Sequence, residues 1–126
     1  MTVRELVGGE AIYIELSETL LEATRTMSSS DIGAIPVVED SQLVGILSER
    51  DVVRACAQDA NLTDETAADW MTRGPDFLDP DVSVDEAADW MLGSGYRHLP
   101  VVDGRDLIGV VSIKDVLWAL TEPATA

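Results

Sequence analysis

A chain of 126 residues, 46% of them hydrophobic, is long enough for one ordinary core and too apolar to stay disordered. Its 24 acidic side chains against 8 basic ones leave a net charge of -16, which disfavours nonspecific binding to nucleic acid or to anionic membranes. No run of 18 apolar residues and no basic, apolar leader is present, so a cytoplasmic location is expected, and the single cysteine, Cys56, excludes an intrachain disulfide and any multi-cysteine metal centre.

In chain order, Thr2 to Val7 reads as a short helical lead-in and Ala11 to Ile14 as a small strand. Thr19-x-x-Glu22 is a capping box that opens a helix carrying Ala23 and Met27 on one face. The apolar run Ile35-Pro36-Val37-Val38 suits a buried strand, and the polar turn Glu39-Asp40-Ser41-Gln42 leads to a second strand, Leu43 to Leu47, so the two form a hairpin. A last helix opens at Ser48, with an acid three residues on. Cys56 falls in its apolar pattern beside Ala55 and Ala57 and is expected to be a small core residue.

The same series then repeats. Sliding the chain by 64 residues superimposes its halves without a gap, and over Glu22 to Ala55 thirteen of 34 positions are identical. Composition alone would give roughly two. The second series runs through a lead-in at Thr66 to Met71, a small strand at Asp76 to Leu78 and a cap at Ser83-x-x-Glu86. It continues with strands at Leu99 to Val102 and Leu107 to Val111, joined by Asp103-Gly104-Arg105-Asp106, and a helix from Ser112. The boundaries fall near 1–62 and 63–126. A β-α-β-β-α unit of this size cannot bury both faces of its sheet. The expected fold is therefore α/β of the α+β kind, two repeats packed sheet to sheet with pseudo-twofold symmetry and two related clefts between them.

These residues resemble the CBS domain, named for cystathionine β-synthase, which usually occurs as a tandem pair. The resemblance rests on Ile35-Pro36-Val37-Val38 with Gly45-Ile46-Leu47-Ser48-Glu49-Arg50-Asp51, and on Leu99-Pro100-Val101-Val102 with Gly109-Val110-Val111-Ser112-Ile113-Lys114-Asp115. It covers nearly the whole chain, so no further domain is expected. It implies a sensor, a Bateman-type module, that holds AMP, ADP, ATP, S-adenosylmethionine or an NAD-type ligand in its clefts and regulates another protein.

Spacing alone makes Ser48-x-x-Asp51 and Ser112-x-x-Asp115 helix caps. The resemblance adds a second role, in which the acid accepts hydrogen bonds from both ribose hydroxyls and the serine contacts sugar or phosphate. An ionised carboxylate is acceptor-only and a cis-diol offers two donors, so the chemistry fits. Arg97 and His98 stand where related proteins reach phosphate, while the first repeat has Gly33 and Ala34 there, so unequal sites are expected. Otherwise Arg97 is a surface charge and His98 a partly exposed strand histidine. By family analogy, the cleft using Asp115 and Ser112 takes Val110, Ala11, Ile12, Ile32 and Ile35. The cleft using Asp51 and Ser48 takes Ile46, Asp76, Phe77, Tyr96 and Leu99. Lys114 and Arg50 are candidates for the phosphate channel, whereas Arg54 reads as solvated charge. Thr72 supplies a hydroxyl near one cleft that Val7-Gly8-Gly9 lacks near the other. Trp70, Trp90 and Trp118 either line a homodimer face, as in the family's disc-like assemblies, or are buried within the module.

One His and one Cys, more than 40 residues apart, give no nucleophile and base at diagnostic spacing, so no enzymatic activity and no cofactor are expected. The alternative to nucleotide sensing is a ligand-free interaction or dimerisation module. The scattered acids resemble those of proteins from salt-loving microbes, a halophilic habit held as a hypothesis. At molar salt the Debye length is about 3 Å, so self-repulsion is screened there. The melting temperature is expected to rise between low salt and molar KCl; a thermal melt that does not move would remove the halophilic reading.

Overall fold

The computed structural model describes residues 1–8 and 10–121. Its elements are α1 (Val3–Leu6), β1 (Ile14–Glu15), α2 (Leu20–Ser30), β2 (Ala34–Glu39), β3 (Gln42–Ser48), α3 (Glu49–Ala57), α4 (Ala67–Trp70), β4 (Thr72–Arg73), α5 (Val84–Ser94), β5 (His98–Asp103), β6 (Asp106–Ser112) and α6 (Ile113–Thr121). The mixed α+β character and the paired hairpins agree with the expectation.

The chain forms two compact units, and their limits are offset from the sequence repeat. One unit comprises the described residues of Met1–Ala11 and Asp76–Ala126; the other is Ile12–Pro75. Each lead-in helix therefore packs in the unit built on the other repeat. Three backbone hydrogen bonds fix α1: Val3 N–H donates to the Val82 carbonyl at 2.9 Å, Arg4 N–H to Pro80 at 2.9 Å, and Val84 N–H to Met1 at 3.0 Å. The same three recur 64 residues displaced around α4, from Ala67 to Glu18 at 2.9 Å, Ala68 to Leu16 at 3.1 Å and Leu20 to Glu65 at 2.9 Å. Val3 and Ala67 are fully buried as a result, each in a core drawn mainly from the opposite repeat.

In the Ile12–Pro75 unit the sheet runs β1-β2-β3-β4, with β1 parallel to β2 and the other pairs antiparallel. Its core gathers Ile14, Leu20, Ala23, Met27, Ile35 and Leu47. The other unit has the β5-β6 hairpin, bridged in parallel at Leu78 and Val101, over a core of Leu78, Val84, Ala87, Met91, Leu99 and Val111. Both hairpins carry a register shift at matching places, Val37/Val38 and Val101/Val102. The first turns through Asp40 and Ser41, both left-handed at φ 50 and 65, the conformation that a two-residue hairpin loop requires.

Gly45 lies on β3 where β4 crosses closely. A Cβ there would stand 2.9 Å from the Thr72 carbonyl and inside the Met71 side chain, so no larger residue fits without moving the segment after α4. Gly109 is the counterpart, under Val7 at 3.1 Å.

Three local expectations need correction. The small strand is Ile14–Glu15 rather than Ala11 to Ile14, and in the second repeat it shrinks to a bridge at Leu78. The parallel register sets Ile14 against Val37, so extension backwards would meet Pro36, or Pro100 in the second repeat, which has no N–H to give. At Thr19 the hydroxyl accepts from Glu22 N–H at 3.1 Å, but Glu22 Oε1 accepts from the same hydroxyl, also at 3.1 Å, in place of the cap amide. Cys56 is exposed, because the buried stripe of α3 runs through Asp51 and Ala55 and the next residue is turned about a quarter of the way round the helix.

Candidate functional site

Both serine–acid motifs sit where a strand hands the chain to a helix. At the β6–α6 corner, Ser112 N–H donates to Asp115 Oδ2 at 3.1 Å and Asp115 N–H donates to Ser112 Oγ at 3.0 Å. At the β3–α3 corner the same two bonds measure 2.9 and 3.2 Å, between Ser48 and Asp51. The helix amides that lack partners at a helix start are thus served, and one carboxylate oxygen is committed in each case.

Around Asp115, the hairpin register sets His98 directly opposite Ser112, and Ile113 N–H donates to the Arg97 carbonyl at 2.8 Å. Arg97, Lys114 and Asp115 are exposed; His98, Val110 and Ser112 are half-buried. One acid, one hydroxyl and three nitrogen-bearing side chains therefore gather at a single corner of one unit. At the matching place in the other unit, Ala34 faces Ser48 and Glu49 N–H donates to the Gly33 carbonyl at 2.9 Å, with no cation on that strand. Ile46 is half-buried and pairs with Thr72, which is exposed on β4; Arg50 is exposed on α3.

The two carboxylates differ more than the sequence suggests. Asp51 is buried, and it takes two further bonds: Ser48 Oγ donates to Oδ2 at 3.0 Å, and Arg54 Nη2 to Oδ1 at 2.6 Å. Asp115 is exposed, and no ion pair to it is found among the described residues, Trp118 standing where repeat one has Arg54. Arg54, expected to be solvated charge, is thus an ion-pair partner of a site residue. Its signal was available in the i, i+3 spacing from Asp51.

The residues nominated around a base are mixed. Ile35 and Leu99 are fully buried core side chains and expose nothing to a ligand. Ile12 and Phe77 are exposed, and Ile32 and Ala11 are half-buried. Ile32 lines a groove of about 440 Å³ between α2 and α3 with Met27, Asp31, Gly33, Glu49 and Val53, a feature that sequence patterning did not suggest. Tyr96 is half-buried, donates its hydroxyl to Asp76 Oδ2, and meets Trp90 edge-on at 5.8 Å and 80°. Of the three tryptophans, Trp90 packs on the core, Trp70 donates its indole N–H to Glu65 at 2.8 Å, and Trp118 is exposed at 58%. Among the described residues no group of three or more His, Cys, Asp or Glu is placed to hold a metal, and no helix is long and apolar enough to cross a membrane.

The Asp76 bond holds the Tyr96 phenol above its usual value of 10.0, helped by loss of water and by the negative charge. The fold favours the neutral phenol, so this contact stabilises fully below pH 10.0 and is lost as pH rises through the elevated value. With Tyr13 replaced by Phe, absorbance titration should show Tyr96 ionising later than free tyrosine, and Asp76→Ala should bring the midpoint down. A midpoint indifferent to Asp76→Ala would contradict the contact.

Comparison with known proteins matches the CBS domain model twice, at residues 3–58 and 67–122. A solved CBS-domain protein from Burkholderia ambifaria MC40-6 is 28% identical and superposes with a TM-score of 0.90, covering 100% of this chain and 98% of that one. A CBS domain protein from Pyrobaculum aerophilum complexed with AMP is 26% identical, with a TM-score of 0.84 over 95% of this chain and 98% of the other. The CBS domain pair of protein MJ0100, solved with 5′-methylthioadenosine and S-adenosyl-L-methionine, is 26% identical, with a TM-score of 0.86 and 95% of each chain covered. An uncharacterized 17.7 kDa protein of Acidianus ambivalens is 31% identical over 98% of this chain and 75% of its own length.

Proposed function

We propose, on the premise that the chain belongs to the CBS domain family and carries two copies of the domain, that it is a regulatory module binding an adenosine-containing nucleotide, with no catalysis of its own. The observation that carries this reading is the exposed Asp115 carboxylate, presented at a helix start beside Ser112, His98, Arg97 and Lys114. Its free acceptor sites suit a ribose diol, and the neighbouring cations suit phosphate. Relatives solved with AMP, 5′-methylthioadenosine or S-adenosyl-L-methionine share adenosine and differ beyond it, which makes the ribose the common element to recognise. Val110, two residues before Ser112 on β6, is the proposed apolar neighbour of this ligand within the same unit. On the other motif, Ser48, Asp51, Ile46 and Thr72, all in the Ile12–Pro75 unit, are the proposed weaker counterpart.

Protein interaction is the second reading, favoured by apolar side chains left outside on the helices: Val53 at 66%, Leu92 at 67% and Trp118 at 58% exposure. A homodimer through these helices fits both readings. Sedimentation at high salt should show twice the 13.6 kDa chain at tens of micromolar, and a monomer alone would remove the dimer.

The ligand test is a thermal-shift series with AMP, ADP, ATP, S-adenosylmethionine and NAD, followed by calorimetry. A hydrogen bond to a charged group contributes about 1.5–3 kcal/mol, so Asp115→Ala should weaken binding roughly ten- to a hundredfold, with a smaller effect for Asp51→Ala. Loss of the cap costs about 1 kcal/mol of stability, so circular dichroism must first establish folding. A folded Asp115→Ala that binds as tightly as the parent returns the motif to a helix cap, and no stabilisation by any of the five ligands favours the interaction reading.

A further inference from the structure

Resting on the reading of Asp115 as a ribose acceptor, we infer that Arg54 closes the equivalent carboxylate of the first repeat, so that the chain offers one open adenosine site and keeps a second latent. A carboxylate has about four acceptor positions. At Asp51 three are filled from within the protein, by Ser48 N–H, Ser48 Oγ and Arg54 Nη2, at 2.9, 3.0 and 2.6 Å. One position remains, whereas a cis-diol brings two donors. At Asp115 the cap amide occupies one position at 3.1 Å, which leaves enough for both hydroxyls.

Exposure points the same way. The Asp51 side chain is 9% exposed and that of Arg54 is 54% exposed, so the guanidinium covers the acid from the solvent side. An incoming ribose would have to displace a short, charge-assisted bond before making its own. The pair is set by sequence spacing alone: Arg54 is one helical turn after Asp51, and the residue one turn after Asp115 is Trp118, which cannot reach a carboxylate with two donors. Arg54 is thus a specificity-determining residue that makes two nearly identical motifs unequal, independently of the Arg97-His98 pair. Any partner that draws Arg54 away, such as an acidic group on a bound protein, would release the second site.

The experiment exchanges the two positions and counts bound AMP by calorimetry at one fixed salt concentration. The parent is expected to bind one AMP per chain. Arg54→Gln should bind two, and adding Asp51→Ala should return it to one. In the opposite direction, Trp118→Arg should weaken the parent site roughly tenfold relative to Trp118→Gln, which removes the same ring from the helix face without adding a cation. Circular dichroism checks each fold, and the Trp118 pair tests the idea even if Arg54→Gln fails to fold. A stoichiometry of one in folded Arg54→Gln, two in the parent, or equal effects of the two Trp118 variants overturns the assignment of Arg54 alone. Absence of AMP binding in every variant overturns the adenosine reading and this inference with it.

Discussion

Each core is closed by the lead-in segment of the opposite repeat, and the positions of both candidate sites follow from that exchange. A β-α-β-β-α repeat leaves one edge of its core open, and the backbone bonds at Val3, Arg4 and Val84, repeated at Ala67, Ala68 and Leu20, fill it. They place a fully buried Val3 or Ala67 against the helices and bring the following segment over Gly45 or Gly109. Those glycines sit three residues before Ser48 and Ser112. The same close approach that seals the core therefore fixes the strand whose end presents the serine and the acid.

Much of this was legible in sequence because it depends on short-range spacing. The 64-residue repeat, the hairpins and the serine–acid caps are each written in a period or a turn residue, and their symmetry doubles every signal. The exchange was not legible: the pattern Thr2 to Val7 says that a short helix forms, but nothing in a periodicity says which repeat supplies the core that buries Val3. The short first strand was missed because the limiting residue, Pro36, lies on its partner. Ile35 and Leu99 stand before proline, the position that family analogy gives to a base contact, yet their side chains alternate inward with Val37 and Val101 and are consumed by the core.

The site itself was legible as motifs and not as a balance of charges. Asp51 and Asp115 are identical by spacing and cap their helices with the same pair of bonds, so the sequence presents them as equals. What separates them is one side chain a turn away, exposed enough to pass for solvated surface in a chain with 24 acids. In so acidic a protein, each arginine has many possible partners, and only geometry tells which one it has taken. Nitrogen-bearing side chains near Asp115 come from Arg97 just before β5, His98 on β5 and Lys114 on α6, which meet only when the hairpin register sets His98 opposite Ser112.

The central claim is that a single carboxylate, Asp115, recognises the ribose diol. Its most direct test is a double cycle by calorimetry that pairs the parent and Asp115→Ala with AMP and 2′-deoxy-AMP, because such a cycle isolates the coupling between one protein group and one ligand group. Removing the 2′-hydroxyl is expected to weaken binding to the parent roughly tenfold and to change little in Asp115→Ala. Equal affinity of the parent for both ligands, or the same loss in both proteins, would contradict it.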